Sequence, residues 1–449
     1  MPLCSQSDTS IIREWKNGFS LLYNHKGDCG SRFCIVDQGG VCVSSVLTES
    51  DVKDMEIIND TAYFCGINGS GQPIIGFFDI NEVLYGPMHE HQAVVSSLVL
   101  LTITAMPRRL EVFHVSDGIH IVMIIDAIYP SNMHKRMLVE MYKPYIVSTW
   151  RCIYYYYSPY AEDNVFYCDD VAVTDNYVFV VGHKRGSAGI YMRKFEKPTC
   201  ASSSSCILYD LNQSSGSINI RDDIYVFRET CFNVLGDVYG DHYVYCTHTL
   251  GDRVAITCMS AYYDPATSAV VSYGVSVKDI DVQNMLLIGD VLLSYSSDNY
   301  NSKWDVRDIR YNAKYGNLLL LHDMDNPADF TIGSAVTFLD YPSFATANSL
   351  FPNVAFYQYS MDGLNLLNKE AMISCGNLSN SSNSLTVGLE ERAVNSCFTH
   401  YKFPVIQCGI ELISDFPVPV EAYFVDGPIY DKLDVMDALP SIPLCFFTK

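Results

Sequence analysis

The sequence predicts an all-β protein made of short antiparallel sheets copied along the chain, and three observations carry that expectation. Of 449 residues, 49% are hydrophobic and 18% charged, with 32 Tyr and 22 Phe, a balance that suits covered strands and is too apolar for a disordered chain. The stretch DMEIINDTAYFCG, Asp54 to Gly66, returns as DVAVTDNYVFVVG at Asp170 to Gly182, 116 residues on (170 − 54). Two-residue turns of Asn, Asp, Gly or Ser recur before apolar runs, at Asn17-Gly18, Asn59-Asp60, Asp117-Gly118, Asp175-Asn176, Gly240-Asp241, Gly289-Asp290 and Gly333-Ser334. Such dipeptides mark hairpins, because type I′ geometry needs positive φ at both central positions.

Each turn is followed by one strand's length of apolar sequence: TAYFCG after Asp60, IHIVMII from Ile119, YVFVVG from Tyr177, HYVYC from His242, VLLSY from Val291 and AVTFL from Ala335. In YVFVVG both parities are apolar, so that strand is expected to be covered on both faces. Further strands follow, such as PIIGFFDI and AGIYMRKF, giving four per unit of about 40 to 60 residues, the period of a propeller blade. β-Helix coils are shorter, sandwich strands do not recur as matched sets of four, and helical periodicity is scarce. The predicted fold is therefore a β-propeller of four-stranded antiparallel blades. Seven hairpins give seven blades; Ser414-Asp415 as a further copy leaves eight open, and six remains the other alternative. Residues 10–449 read as a single propeller domain, with residues 1–9 disordered and with 198–217 and 375–384 as loop excursions.

The repeated unit, of the form hxDhxhxNDxhYhhG with h apolar, resembles the large, divergent set of β-propeller proteins of unassigned function carried by gut Bacteroidales. The resemblance covers residues 51–290 best and implies a bacterial lineage; it brings no catalytic residues with it. Signatures of other propellers are not repeated, the one Trp304-Asp305 standing alone.

A formal charge of −22 and an isoelectric point near 4.7 repel phosphate backbones and anionic lipid, so nucleic acid is not an expected partner. Ala93 to Met106 is too short and too broken by Ser and Thr for a spanning helix and is expected to be a buried strand. MPLCSQSDTS shows no signal-peptide pattern, while Cys4 leaves a remnant lipid-attachment cysteine as the weaker reading. Sixteen cysteines, with close pairs Cys29 and Cys34, Cys200 and Cys206, Cys397 and Cys408, favour an oxidising compartment, with about half of them serving as packing residues. The absence of any CxxC pair takes away the main support for the zinc-ribbon and thioredoxin readings.

Among candidates for chemistry, His89 and His91 in MHEH would share one face of a strand and could chelate zinc or copper. A solvated turn after Gly86-Pro87 is the plainer reading. Asp323 and Asp325 in HDMDN offer alternating oxygens of the kind calcium accepts, without the Gly and distal Glu of an EF-hand, so a solvated acidic loop weighs against it. Asp431, Asp434 and Asp437 have helical spacing on one face. In RCIYYYYSPY, Tyr154 and Tyr156 face one way, and with Tyr160 could stack on a sugar or peptide, against the plainer role of filling space between blades. No GxSxG elbow or SxxK motif is present. Asp54 and Asp170, at matched repeat positions, are expected to anchor loop amides at a blade end rather than to serve as acid and base.

These readings converge on a non-enzymatic, extracytoplasmic propeller, periplasmic or at the cell surface. It is expected to act as a monomer without a cofactor, calcium being the one candidate, and to bind a protein, peptide or glycan through loops at one end of its channel. The alternative is a carbohydrate-active hydrolase or lyase on the same scaffold.

Overall fold

The computed structural model describes residues 9–16, 19–25, 31–37, 42–95, 104–116, 118–128, 134–144, 149–157, 166–184, 190–197, 225–228, 231–233, 244–263, 270–295, 305–313, 315–325, 332–352, 359–367, 371–378, 384–389, 398–403, 405–407, 411–414, 420–434 and 436–437. Strand dominates throughout, and the one helix among these residues is Ile80–Tyr85. The chain divides into two compact units, Met1–Gln92 with Asn301–Phe403 and Tyr430–Lys449, and Ala93–Tyr300 with Pro404–Ile429.

In the first unit, consecutive strands pair antiparallel as meanders: Thr9–Glu14, Ser20–His25, Ser31–Val36 and Cys42–Thr48; then Asp51–Ile58, Thr61–Ile67, Pro73–Asp79 and Met88–Val94; then Asp305–Asn312, Asn317–Asp325, Ile332–Asp340 and Ala347–Pro352. A three-stranded sheet, Tyr359–Leu367, Ala371–Leu378 and Ser384–Leu389, follows. The second unit repeats the plan with Thr104–Val115 to Thr149–Tyr157 and with Phe166–Val173 to Tyr225–Arg228. Its last sheet runs from Arg253–Tyr263 through Val270–Asp281 to Leu286–Tyr295, and both Cys231–Asn233 and Tyr245–His248 pair with its Arg253–Tyr263 strand.

The likeness of the opening repeat is a shared corner. The residue that follows the third strand donates its N–H to a carbonyl in the first hairpin turn in four sheets: Ile80 to Asp60 at 2.8 Å, Lys197 to Asn176 at 2.8 Å, Val282 to Asp252 at 2.9 Å and Tyr341 to Gly316 at 2.9 Å. A second shared device is a β-bulge near the start of the first strand, where one extra residue breaks the ladder: Lys53, Arg108, Asp169, Arg307 and Asp362. A bulge bends and twists its strand, and here it presses the chain onto the neighbouring strand. A side chain at Gly66 would place Cβ 2.3 Å from the Asp51 carbonyl oxygen, and one at Gly182 would place it 1.7 Å from that of Tyr167. Glycine is required at both positions by this approach, which explains why both quoted repeats end in it.

Strands apolar in both parities are covered on both faces, as expected from the sequence. Val178 to Val181, Ile121 to Ile125 and Leu318 to Leu321 are all fully buried. In the second unit Phe179, Val181 and Met192 pack with Val254, Ile256 and Ile280 into one core cluster. In the first, Tyr23 and Phe33 meet Phe64 and Phe78, with the Phe33 and Phe78 centroids 4.6 Å apart. First strands also lie against first strands. Thr9–Glu14 contacts Asp51–Ile58 and Tyr359–Leu367, and Asp305–Asn312 contacts Tyr359–Leu367. In the second unit Phe166–Val173 contacts Thr104–Val115 and Tyr245–His248.

Strands from the last part of the chain pair with the sheets' final strands. In the second unit Val405–Gln407 pairs with Leu286–Tyr295, Glu411–Ser414 with Tyr225–Arg228, and residues of Val420–Asp434 with Thr149–Tyr157, the reverse of the order in which those sheets occur. In the first unit Phe398–Phe403 pairs with Ala347–Pro352, and Met436–Asp437 with Cys42–Thr48.

Several expectations from the sequence are corrected. Gly289-Asp290 and Gly333-Ser334 lie inside strands: both have ladder partners, Asp279 and Lys278 for the first pair, Met324 and Asp323 for the second. The turn before the first pair's strand falls at Met285 (φ 51), while residues 326–331, before the second pair's strand, lie outside the described residues. Met88–Val94 is a strand rather than a loop. Asp431 and Asp434 sit in the strand Val420–Asp434 and Asp437 in Met436–Asp437, not on a helix. Ile80–Tyr85 forms a helix because Asp79 accepts from the Asn81 N–H at its N-terminus while Ile80 and Val83, three apart, are both buried. The centre of the Ala93 to Met106 stretch and loops 198–217 lie outside the described residues, as do residues 1–8 and Gly240-Asp241.

Candidate functional site

Alternation along a strand puts residues two apart on one face, so Asp54 and Glu56 share a face, as do Asp308 and Arg310. In the first unit these strands and Thr9–Glu14 build one charged cluster. Arg13 donates from Nη2 to Asp54 Oδ1 at 2.7 Å, from Nε to Glu56 Oε1 at 2.9 Å and from Nη1 to the Ile12 carbonyl at 3.0 Å. Arg310 donates from Nη1 to the same Glu56 oxygen and from Nε to Asp308 Oδ2, both at 3.4 Å. The side chains of Arg13 and Asp54 are 6% and 5% exposed, those of Arg310 and Glu56 24% and 22%. A buried ion pair thus supports a partly exposed carboxylate clamped by two guanidinium groups, each fixed by a further carboxylate. Such a group has its orientation set before a ligand arrives and can accept hydrogen bonds from hydroxyl or amide donors at little ordering cost.

The repeated aspartates anchor backbone amides, but amides inside strands rather than in loops. Asp54, Asp170 and Asp308 each accept the N–H of the following residue at 2.9 Å, holding the turn of chain that follows the bulge. Asp170 also accepts the Cys246 N–H at 2.9 Å, bridging two sheets.

The second unit holds a different group at the bulge. Asp169, the extra residue, has a fully buried carboxylate whose Oδ2 lies 2.6 Å from His183 Nδ1, while the ring of Tyr167 stacks on the imidazole with centroids 5.3 Å apart. In a neutral ring an Nδ1–H given to a carboxylate leaves Nε2 as an acceptor, and the His183 side chain is 19% exposed. At the matching place in the preceding sheet Arg108 pairs with Asp126. One register position is therefore a permanent ion pair in one copy and a carboxylate-oriented imidazole in another, the arrangement that general bases use.

Of the residues singled out from the sequence, Asp54 belongs to the first cluster, while His89 and His91 belong to neither. Tyr154 and Tyr156 lie on the strand Thr149–Tyr157, Tyr154 opposite Val139 on one side and Tyr423 on the other, and Tyr156 opposite Glu421; Tyr160 lies outside the described residues. His89 is exposed, while the His91 ring stacks on Phe77 with centroids 4.8 Å apart. Between them Glu90 is fully buried, accepting from Thr48 Oγ1 at 2.8 Å, from Ser50 Oγ at 2.5 Å and from Gln92 Nε2, so the acid of MHEH joins two sheets. Asp323 and Asp325 stand at the end of the strand Asn317–Asp325 instead of in a loop, Asp323 opposite Asp305 and Ser334, and Asp325 opposite Ile332. No group of three His, Cys, Asp or Glu able to hold a metal occurs among the described residues. Nor is any helix there long and apolar enough to cross a membrane.

The clusters could have been noticed in the sequence as charged residues at alternate positions of otherwise apolar strands, DMEI and DIRY, at the same distance from the following turn's strand partner. Nothing in the sequence marked Arg13 as their partner. No family model matches the chain, and no curated protein matches it.

Proposed function

We propose that this chain is a non-enzymatic β-propeller that recognises a protein, peptide or glycan outside the cytoplasm, through loops at one end of a central channel. The observation that carries the reading is the packing of first strands on first strands within each unit, all but Thr9–Glu14 leading a meander with the bulge, the hydrogen-bonded corner or both. Sheets related this way are what blades around an axis require, and each blade dries its neighbour's faces. Recognition on a rigid scaffold of this kind is favoured by the Arg13, Glu56 and Arg310 cluster, which offers an ordered acceptor flanked by donors. Export is supported by the sixteen cysteines, and the high negative charge favours a neutral or cationic ligand.

The test is binding of the intact protein to arrays of glycans and of extended peptides, followed by titration of each hit against Glu56→Gln and Arg310→Gln. Saturable binding weakened about tenfold by either change, roughly 1.4 kcal/mol, is expected. Binding that ignores both changes removes the cluster from the site, and turnover of any arrayed glycan overturns the non-enzymatic reading.

A second reading, a carbohydrate-active hydrolase or lyase, is favoured by one observation, the His183 imidazole oriented by buried Asp169 and stacked on Tyr167. Incubation with a panel of neutral and uronate-containing glycans would then give new reducing ends or unsaturated products. His183→Asn should reduce that rate by about a hundredfold or more with the melting temperature preserved.

A further inference from the structure

In the second unit Lys278 and Asp290 stand directly opposite each other on the paired strands Val270–Asp281 and Leu286–Tyr295. Lys278 Nζ lies 2.8 Å from Asp290 Oδ1, with side-chain exposures of 0% and 2%. Side chains directly opposite across an antiparallel ladder share a face, so Lys278 also shares its face with Ile256, its partner on the other side, and with Ile280 two residues on. Both isoleucines belong to the core formed with Phe179, Val181 and Met192. The second oxygen of Asp290, Oδ2, is buried and has no hydrogen-bond partner. A carboxylate needs donors on both oxygens to be held in such surroundings, and a buried ion pair with one orphan oxygen is an expensive arrangement.

We propose that Lys278 and Asp290 condense to an intramolecular isopeptide bond that staples these two strands. The forms that react are the uncharged amine and the carboxylic acid. Burial pushes the Asp290 carboxyl up, the Lys278 charge offsetting only part of it. The Nζ lone pair attacks Cγ of Asp290 and forms the Nζ–Cγ bond. The Cγ–Oδ2 bond breaks, Oδ2 departs with its own proton and one from Nζ as water, and Oδ1 remains as the amide carbonyl. Nothing is oxidised or reduced, and no co-reactant is consumed. The oxygen that leaves is the one that lacks a partner, and the product carries no buried charge. A covalent bond between neighbouring strands constrains the unfolded chain as a disulfide does, without dependence on the redox state of the compartment.

The experiment is intact-mass spectrometry of the full chain, denatured and reduced after purification in the folded state. A mass one water below that of the sequence is expected, with a branched peptide joining the segments that contain Lys278 and Asp290 after proteolysis. Lys278→Arg keeps the charge pair and should return the full sequence mass. Asp290→Asn provides an independent check, because the same bond then expels ammonia in place of water. Full sequence mass in the folded wild-type protein overturns the proposal, as does a water loss that persists in Lys278→Arg.

Discussion

At the scale of single residues, the structure turns repeat positions into constraints of unequal strength. Gly182 is held by a carbonyl that a Cβ would overlap, whereas a Cβ at Gly86 would meet nothing within 4 Å. Gly182→Ala is expected to cost about 2 to 3 kcal/mol, in the range of an overpacked core, and Gly86→Ala less than about 0.5 kcal/mol; urea unfolding of both separates a steric requirement from a general glycine effect. Arg13→Ala leaves Asp54 buried without its main charge partner and should cost about 3 to 5 kcal/mol, measured the same way. Register also bears on Asp323, which occupies the place that Asp126 holds beside the bulge residue Arg108, with Arg307 as the matching bulge residue. That register match, inside a strand rather than a loop, is the place the fold gives Asp323. A chelator should then leave the melting temperature unchanged, and a rise in melting temperature with added calcium that Asp323→Asn abolishes would restore the metal reading.

At the scale of elements, hairpin turns of one sheet are tied to turns of another by carboxylates. Asp60 accepts from Trp15 Nε1 at 2.9 Å and Lys16 Nζ at 2.6 Å, hydrogen bonds that hold its carboxyl below the usual carboxylate range. Asp252 accepts from Thr174 Oγ1 at 2.8 Å and from the N–H and side-chain amide of Asn176 at 2.9 and 2.7 Å. Burial raises the Asp252 carboxyl, but the Asn176 and Thr174 hydrogen bonds together outweigh it and the net shift is downward. A carboxyl lowered in the folded state stabilises fully above its unfolded pKa, and that contribution is lost as pH falls through the folded value. The difference in unfolding temperature between wild type and Asp252→Asn should therefore be present at neutral pH and shrink on acidification through and below the ordinary carboxylate range. A difference that grows on acidification would contradict the hydrogen-bond account. These ties were half legible in the sequence: the turn dipeptides located Asp60 and Asn176, but their partners, 45 and 76 residues away, carried no local signal.

At the scale of the whole chain, the strands between residues 398 and 437 cover the open edges of sheets in both units. An uncovered edge is a template for pairing with another chain, so truncation after residue 397 should produce light-scattering aggregates at concentrations where the intact protein remains dispersed. Equal solubility and an unchanged melting curve would show that the added strands close nothing of consequence. Cys34, Cys42, Cys65, Cys168, Cys246 and Cys258 carry thiols rather than disulfides. Thiol titration of the unreduced protein in denaturant should thus find at least six reactive groups and, if the chain is exported, fewer than sixteen; a full sixteen would remove the support for an oxidising compartment. The sequence alone determined the all-β class, the repeated hairpins and the strands covered on both faces, because strand pleat and turn geometry are local and leave their mark on adjacent residues. Only the tertiary structure decided which charges meet at Glu56, which imidazole is fixed by Asp169, that Lys278 faces Asp290, and that the last strands finish sheets begun long before them. Those are contacts between residues far apart in the chain, and register and packing, which no local pattern encodes, bring them together.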